Sequence, residues 1–207
     1  MSELWWYTAR AGGIVSLALA AGSIVWGLLL TSRLLDGRPK PAWLLDLHRW
    51  LGALTVIFTI VHVVALWMDS YIQFSVADLL IPFVSDWNPG AVAWGIVSMY
   101  LLAAVQISSL AMKRIPRKLW RWIHFASYAM FTFGAVHGLQ AGTDAAHPLY
   151  VGGTISTISL IVYLTIHRII TARSVRRAVA TQATTPTAQT TPPTAQATPP
   201  AASAAQA

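Results

Sequence analysis

Two stretches of the sequence decide the fold: residues 46–66, DLHRWLGALTVIFTIVHVVAL, and residues 118–139, KLWRWIHFASYAMFTFGAVHGL. Each is a predominantly apolar run about as long as a helix that crosses a bilayer. Each also holds a histidine near either end, His48 and His62 in the first stretch and His124 and His137 in the second. Imidazole side chains at membrane depth are costly and rare, so each of the four is a candidate functional residue.

The two histidine pairs have nearly equal spacings, 14 residues in the first stretch and 13 in the second. At about 1.5 Å per residue, the members of a pair lie about 20 Å apart along the helix, roughly two-thirds of a hydrocarbon core about 30 Å thick. Two parallel helices would bring His48 opposite His124 and His62 opposite His137. Neutral imidazole is an axial ligand of haem iron, so the pattern predicts two stacked haem sites. Hydrogen bonding between helices is the alternative role for these side chains.

One detail of the spacing fits less well. On an ideal helix, 14 residues return to within about 40° of the starting direction, whereas 13 residues leave an offset of about 140°. The second stretch is therefore expected to be rotated, to be distorted near Gly134, or to be approached by the two haems from different sides.

Composition places the chain among membrane proteins. Of its 207 residues, 56% are hydrophobic and only 10% are charged, which is not typical of a soluble domain. The absence of cysteine excludes disulfides, thiolate metal sites and iron–sulfur clusters within these residues. The net charge of +7 does not indicate nucleic-acid binding, because the basic residues cluster at the ends of the apolar runs.

Five apolar runs are predicted to cross the membrane, so the expected fold class is all-α, an integral membrane bundle of about five helices with a bis-histidine dihaem core. The first run exceeds the 7–15 residues of a signal-peptide core, and we expect it to be retained as a helix. The segment 69–90 contains short apolar pieces broken by prolines, which favours an interfacial loop with a short surface helix. The predicted spans are residues 11–30, 43–68, 91–112, 119–141 and 149–166.

The loop charges predict the orientation. In a five-span arrangement, 13 of the 14 lysine and arginine residues fall on one side. The positive-inside rule then predicts a multi-pass plasma-membrane protein with its N-terminus outside and its C-terminus in the cytoplasm. His48 and His124 become the inner pair, and His62 and His137 the outer pair. Three bases at the cytoplasmic rim are candidate partners of the inner haem propionates, although topology alone also explains them: Arg49, Lys118 and Arg121.

The C-terminal segment differs from the rest of the chain. Residues 178–207 consist mainly of alanine, threonine, proline and glutamine and carry no charged residue. We expect a disordered cytoplasmic tail there, following a membrane domain of residues 1–177. The sequence contains no glycine-rich dinucleotide fingerprint, so no flavin- or nicotinamide-binding domain is evident in these residues.

The sequence resembles the ferric-reductase-type transmembrane domain in two motifs, LHRWLG and LWRWIHFASYAMF. In each case a VH dipeptide follows, and its histidine lies 14 residues after the histidine of the first motif or 13 residues after that of the second. That superfamily includes NADPH oxidases, ferric reductases and the bacterial haem subunit that serves periplasmic methionine sulfoxide reductase. The likeness covers roughly residues 10–170. It implies b-type haem, bound axially by the four histidines, and electron transfer across the membrane. The chain differs from the oxidases in lacking a fused flavin and nicotinamide domain and in having five predicted spans where six are common.

These observations predict a haem b protein that moves electrons from a cytoplasmic or membrane donor, a flavoprotein or quinone, to an unidentified acceptor at the outer face. FAD or FMN would act only through a partner. The alternatives are a subunit feeding a periplasmic reductase, a quinone-linked cytochrome with one filled haem site, and a haem-free membrane scaffold. Whether the chain is an enzyme or the electron-transfer subunit of one stays open at the level of sequence.

Overall fold

The computed structural model describes residues 2–31 and 42–184, with side chains described as far as residue 174. Within these ranges the regular structure is entirely helical, which confirms the all-α prediction. The six helices are α1 (Ser2–Thr31), α2 (Ala42–Met68), α3 (Val76–Leu80), α4 (Pro89–Leu110), α5 (Arg117–Ala141) and α6 (Pro148–Thr184).

The chain divides into two units, Met1–Thr171 and Ala172–Ala207. The first unit holds α1 to α5 and most of α6. In the second unit, the backbone of α6 continues as far as Thr184, into the segment predicted to be a disordered tail. The rest of that predicted tail lies outside the described residues.

Among the described residues, four helices are long and apolar enough to cross a membrane, so the chain is a multi-pass membrane protein. They are α1, α2, α4 and α6, the last over Pro148–Ser174. Helix α5, with 25 residues, is also long enough to cross a membrane, but it is less apolar than these four helices. Three basic residues lie in its first two turns, and two histidines, serine, threonine and glutamine follow. The predicted span 119–141 is thus a helix whose composition alone does not identify it as a membrane span.

The segment between α2 and α4 contains the short helix that the sequence predicted. Ser75 and Asp78 form a capping box at the start of α3, in which the hydroxyl and backbone N–H of Ser75 both donate to the Asp78 carboxylate. These two hydrogen bonds lower the pKa of Asp78. Phe74 and Leu79 are buried against Val92 of α4, so the loop is held on the bundle rather than lying free.

The helices pack as two close pairs, α1 with α2 and α4 with α5, which are joined by contacts of α1 with α5 and of α2 with α4. The two histidine-bearing helices, α2 and α5, are not closely packed against each other within the described part of the chain. A central apolar cluster joins helices from both pairs and α6, and consists of Ala20, Ala21, Ile24, Leu28, Leu102, Met130, Phe131, Ile161 and Leu164.

Contacts at one end of the bundle define the directions of the helices. Arg10 of α1 forms an ion pair with Asp144, in the loop after α5. Asn88, immediately before α4, donates its side-chain N–H to the carbonyl of Gln140 over 3.3 Å. The start of α1, the start of α4 and the end of α5 therefore meet at the same end. His62, near the end of α2, bonds there too, to Ala9 of α1, so α2 and α5 run in the same direction.

Candidate functional site

The four membrane histidines meet as two pairs across the gap between α2 and α5. The ring centroids of His48 and His124 lie 6.1 Å apart, and those of His62 and His137 lie 6.2 Å apart. The rings stand at steep angles to each other, 71° in the first pair and 79° in the second. Helix α5 is continuous through Gly134, so both pairs form without a break in the helix.

The pair formed by His62 and His137 is held by backbone carbonyl groups on the neighbouring helices. His62 Nδ1 lies 2.6 Å from the carbonyl oxygen of Ala9, and His137 Nδ1 lies 2.7 Å from that of Ala91. A carbonyl oxygen can only accept a hydrogen bond, so each Nδ1 carries the proton and donates it. In a neutral imidazole this leaves Nε2 unprotonated, which is the form that binds a metal.

The pair formed by His48 and His124 is asymmetric. His48 Nδ1 lies 3.1 Å from the carbonyl oxygen of Ser23 and 3.3 Å from the hydroxyl of the same residue. His124 Nδ1 is buried and has no hydrogen-bond partner among the described residues. Its ring stacks instead on Trp120, one turn earlier in α5, with centroids 5.0 Å apart and planes at 23°.

The side chains that helical spacing suggests as partners of the histidines are not their partners. Thr59, one turn from His62, bonds to Ser16 over 2.7 Å. Ser127 and Tyr128 lie near His124 in sequence, yet His124 Nδ1 has no partner within the described part of the chain. For His48, His62 and His137 the acceptors are instead main-chain carbonyl groups of α1 and α4. Such groups leave no side-chain signal in a sequence.

A cavity in the bundle has His62 and His137 in its wall, together with Met130 and Leu102. Its empty volume is about 810 Å³, open space at its mouth included. The lining is mainly apolar, with a few hydroxyl groups and the two imidazoles as its polar elements. This is the composition expected of a cofactor pocket, in which a few polar groups fix a largely apolar ligand.

The imidazole pairs fit haem better than a bare metal ion. Among the described side chains, those of residues 2–31 and 42–174, no three histidine, cysteine, aspartate or glutamate residues come close enough together to hold a metal ion. A pair of imidazoles can hold a metal that brings its own equatorial ligands, as haem does. With metal–nitrogen bonds of about 2 Å, two imidazoles on opposite sides of one metal have ring centroids about 6 Å apart, close to the separations observed.

The comparison with protein families agrees with this chemistry. The sequence profile of the family described as ferric reductase like transmembrane component matches residues 12–135. This chain belongs to that family.

The matched residues of this ferric reductase-like protein run from α1 to most of α5, and contain His48, His62 and His124. The match ends two residues before His137. Membership implies transmembrane electron transfer in general and an electron donor as partner, and members of the family typically bind haem. Neither the curated proteins nor the solved structures contain a significant match to the chain.

The three predicted rim bases of this ferric reductase-like protein are all exposed. Arg49 forms an ion pair with Asp46 over 3.0 Å, and both side chains are more than half exposed. Lys118 and Arg121 lie in the first two turns of α5, before His124. None of the three bonds to an imidazole, so their predicted role depends on a group that the histidines would hold.

The two remaining histidines have other contacts. His147 lies in the loop before α6, where its Nδ1 accepts the backbone N–H of Leu149 over 3.3 Å. The ring of His167, on α6, lies 6.3 Å from that of Tyr163.

Proposed function

We propose that this protein is a haem b electron conduit of the plasma membrane, in which His48 and His124 hold an inner haem and His62 and His137 an outer haem. The observation that carries the proposal is that two imidazole pairs bridge α2 and α5, with nearly the same distance between the ring centroids in each pair. Bound haem supplies a one-electron iron couple at each site. The chain supplies the ligands, their orientation and an apolar surrounding that keeps water away.

Orientation of the ligands is the main task of the neighbouring helices. The carbonyl groups of Ala9, Ser23 and Ala91 fix the proton of their imidazole on Nδ1, which leaves Nε2 free to bind iron. A hydrogen bond of this kind also makes the imidazole a stronger electron donor to the metal. The protein thereby sets both the geometry and the electron-donating strength of three of the four ligands before haem binds.

In this proposal α5 also spans the membrane, which brings the number of spans to five. Its length matches that of α2, it runs in the same direction, and its residues Met130, Phe131 and Ala135 are buried in the bundle. Polar residues are tolerated in a membrane helix when they face the interior of a bundle. The low apolar content of α5 is then a consequence of its position between the other helices and the haems.

The basic residues support the proposed orientation, with the pair His48 and His124 on the cytoplasmic side. Arg49, Lys118 and Arg121 lie within a few residues of that pair along the chain. Their positive charges suit the propionates of an inner haem. The ion pair of Arg49 with Asp46 is exposed and therefore weak, so the guanidinium is free to exchange partners.

The electron donor in this proposal is a cytoplasmic or membrane partner, a flavoprotein or quinone, and the acceptor is at the outer face. Residues 1–207 carry no dinucleotide fingerprint, so the reductant comes from outside these residues. The same observation supports a second candidate function, the haem subunit of a periplasmic reductase. Both candidates use the same conduit and differ only in the protein that takes the electron.

The test is haem stoichiometry of detergent-purified protein, from extracted haem and reduced-minus-oxidised spectra. Wild type is expected to hold about two low-spin b haems per chain, one for each imidazole pair. His62→Leu and His137→Leu should each remove the outer haem and spare the inner one, while His48→Leu and His124→Leu should do the reverse.

His147→Ala is the matched control, since this histidine bonds within the loop before α6. It should leave both haems in place. Equal haem loss from His62→Leu and His147→Ala would overturn the ligand assignment. A wild-type protein without haem, after expression with an adequate haem supply, would favour the scaffold instead.

A further inference from the structure

Three of the four imidazoles approach a neighbouring helix in the same way. In each case the carbonyl group that accepts from Nδ1 belongs to one residue, and the residue four positions later is glycine, lying against the imidazole ring. The three sets are Ala9 and Gly13 at His62, Ser23 and Gly27 at His48, and Ala91 and Gly95 at His137.

Helix geometry explains why the glycine stands at that position. A helical carbonyl points along the axis towards the N–H of the residue four positions later. A ring that reaches the same carbonyl from the side must therefore pass over that later residue. A side chain there would occupy the space that the ring needs, and glycine has none.

The space left for a Cβ atom is too small at Gly95 and tight at Gly13 and Gly27. At Gly95 an added Cβ would lie 2.8 Å from His137 Nδ1 and 2.9 Å from Cε1. At Gly13 it would lie 3.0 Å from His62 Nδ1, and at Gly27 it would lie 3.2 Å from His48 Cε1. The clash thus decreases from Gly95 to Gly13 to Gly27. By contrast, a Cβ at Gly22 of α1 would meet nothing within 4 Å.

We propose that Gly13, Gly27 and Gly95 are positioning residues for the haem ligands. Each admits an imidazole to the carbonyl four residues earlier, and so fixes the tautomer, direction and electron-donating strength of that ligand. This inference rests on the proposed function. His124 is the exception. The two histidines of α5 are 13 residues apart, and the residue of α4 that lies 13 positions after Gly95 is the buried Ser108, not a glycine.

The proposal makes a graded prediction for substitution by alanine. The added methyl group pushes the ring away from the carbonyl, which breaks the Nδ1 hydrogen bond and displaces Nε2. An imidazole that no longer donates from Nδ1 is a weaker electron donor, so the ferric form is less stabilised. The midpoint potential of the affected haem should then become more positive.

The experiment compares four alanine variants of the full chain by haem content, low-spin electron paramagnetic resonance and redox titration. Gly95→Ala should lose about one haem per chain, the outer one, since it has the closest clash. Gly13→Ala should give the outer haem a more positive potential and an altered low-spin signal. Gly27→Ala should give a smaller shift, confined to the inner haem. Gly22→Ala should match wild type in all three measurements.

The retained inner haem of Gly95→Ala shows that this variant is folded. If Gly95→Ala and Gly13→Ala match Gly22→Ala while wild type holds two haems, the positioning role is refuted and the proposed function stands. Equal changes in all four variants would also refute it, because they would report general helix packing. Absence of haem from wild type and Gly22→Ala alike would refute the proposed function itself.

Discussion

If the protein holds the two proposed haems, a voltage across the membrane should redistribute electrons between them. His48 and His62, one from each imidazole pair, are 14 residues apart on the continuous helix α2, which places the two sites about 20 Å apart along it. That is roughly two-thirds of the hydrocarbon core. A full crossing of one charge is worth about 2.3 kcal/mol per 100 mV, so transfer between the sites is worth about 1.5 kcal/mol.

This energy corresponds to about a tenfold change in the ratio of reduced outer to reduced inner haem for each 100 mV. A negative interior drives the electron outward, so the outer haem should become more reduced. The measurement uses right-side-out vesicles poised at half reduction, with the voltage set by a potassium gradient and valinomycin. Spectra of His62→Leu and His48→Leu assign the two haems.

Two results would refute the reasoning. An unchanged ratio would mean that the two sites do not lie at different depths in the membrane. A shift of similar size in the opposite direction would leave the depth argument intact but would reverse the proposed orientation. Vesicles with valinomycin and equal potassium concentrations on both sides provide the control, since the voltage is then zero and the ratio should keep its starting value.

Two further predictions concern the ends of the bundle. Arg10→Gln should lower the thermal unfolding midpoint in detergent, because Asp144, with only 16% of its side chain exposed, loses its cation. The double variant Arg10→Asp/Asp144→Arg should recover the midpoint, and a failure to recover it would count against the ion pair. If Lys118 and Arg121 pair with the inner haem, replacing both with glutamine should make the inner midpoint potential more negative and leave the outer one unchanged, whereas Lys113→Gln, in the turn before α5, should change neither.

The positions of the helices could be predicted from the sequence because apolar runs and their interruptions are local features. The predicted run 43–68 is α2 (Ala42–Met68), and the predicted run 119–141 lies within α5 (Arg117–Ala141). Helix α6 is longer than its predicted span of 149–166, since its polar continuation has no apolar signal. A chain can remain helical beyond its membrane-spanning part. Hydropathy therefore predicts the length of the membrane span but not the length of the helix.

The meeting of His48 with His124 and of His62 with His137 could also be anticipated. It depends on two independent features, the similar spacings within the pairs and the parallel course of the two helices that the loop charges imply. Because a helix has a fixed rise per residue, equal spacings in sequence become equal distances along two parallel helices.

The partners of the imidazoles could not be predicted in the same way. A main-chain carbonyl is present at every residue, so nothing distinguishes Ala9 or Ala91 in a sequence. One signal was nevertheless available. Gly13 and Gly27 of α1 are 14 residues apart, the same interval as His48 and His62. Matching intervals on adjacent antiparallel helices indicate that each glycine faces a histidine.

The division of the bundle into two close helix pairs bears on how the protein is built in the cell. Both histidines of α2 are anchored on α1, and His137 of α5 is anchored on α4. Each pair is contiguous in the chain, so the residues that orient His48 and His62 are synthesised before α4 and α5. In the proposed function, each haem would take one histidine from each helix pair, so both haems would link the two pairs.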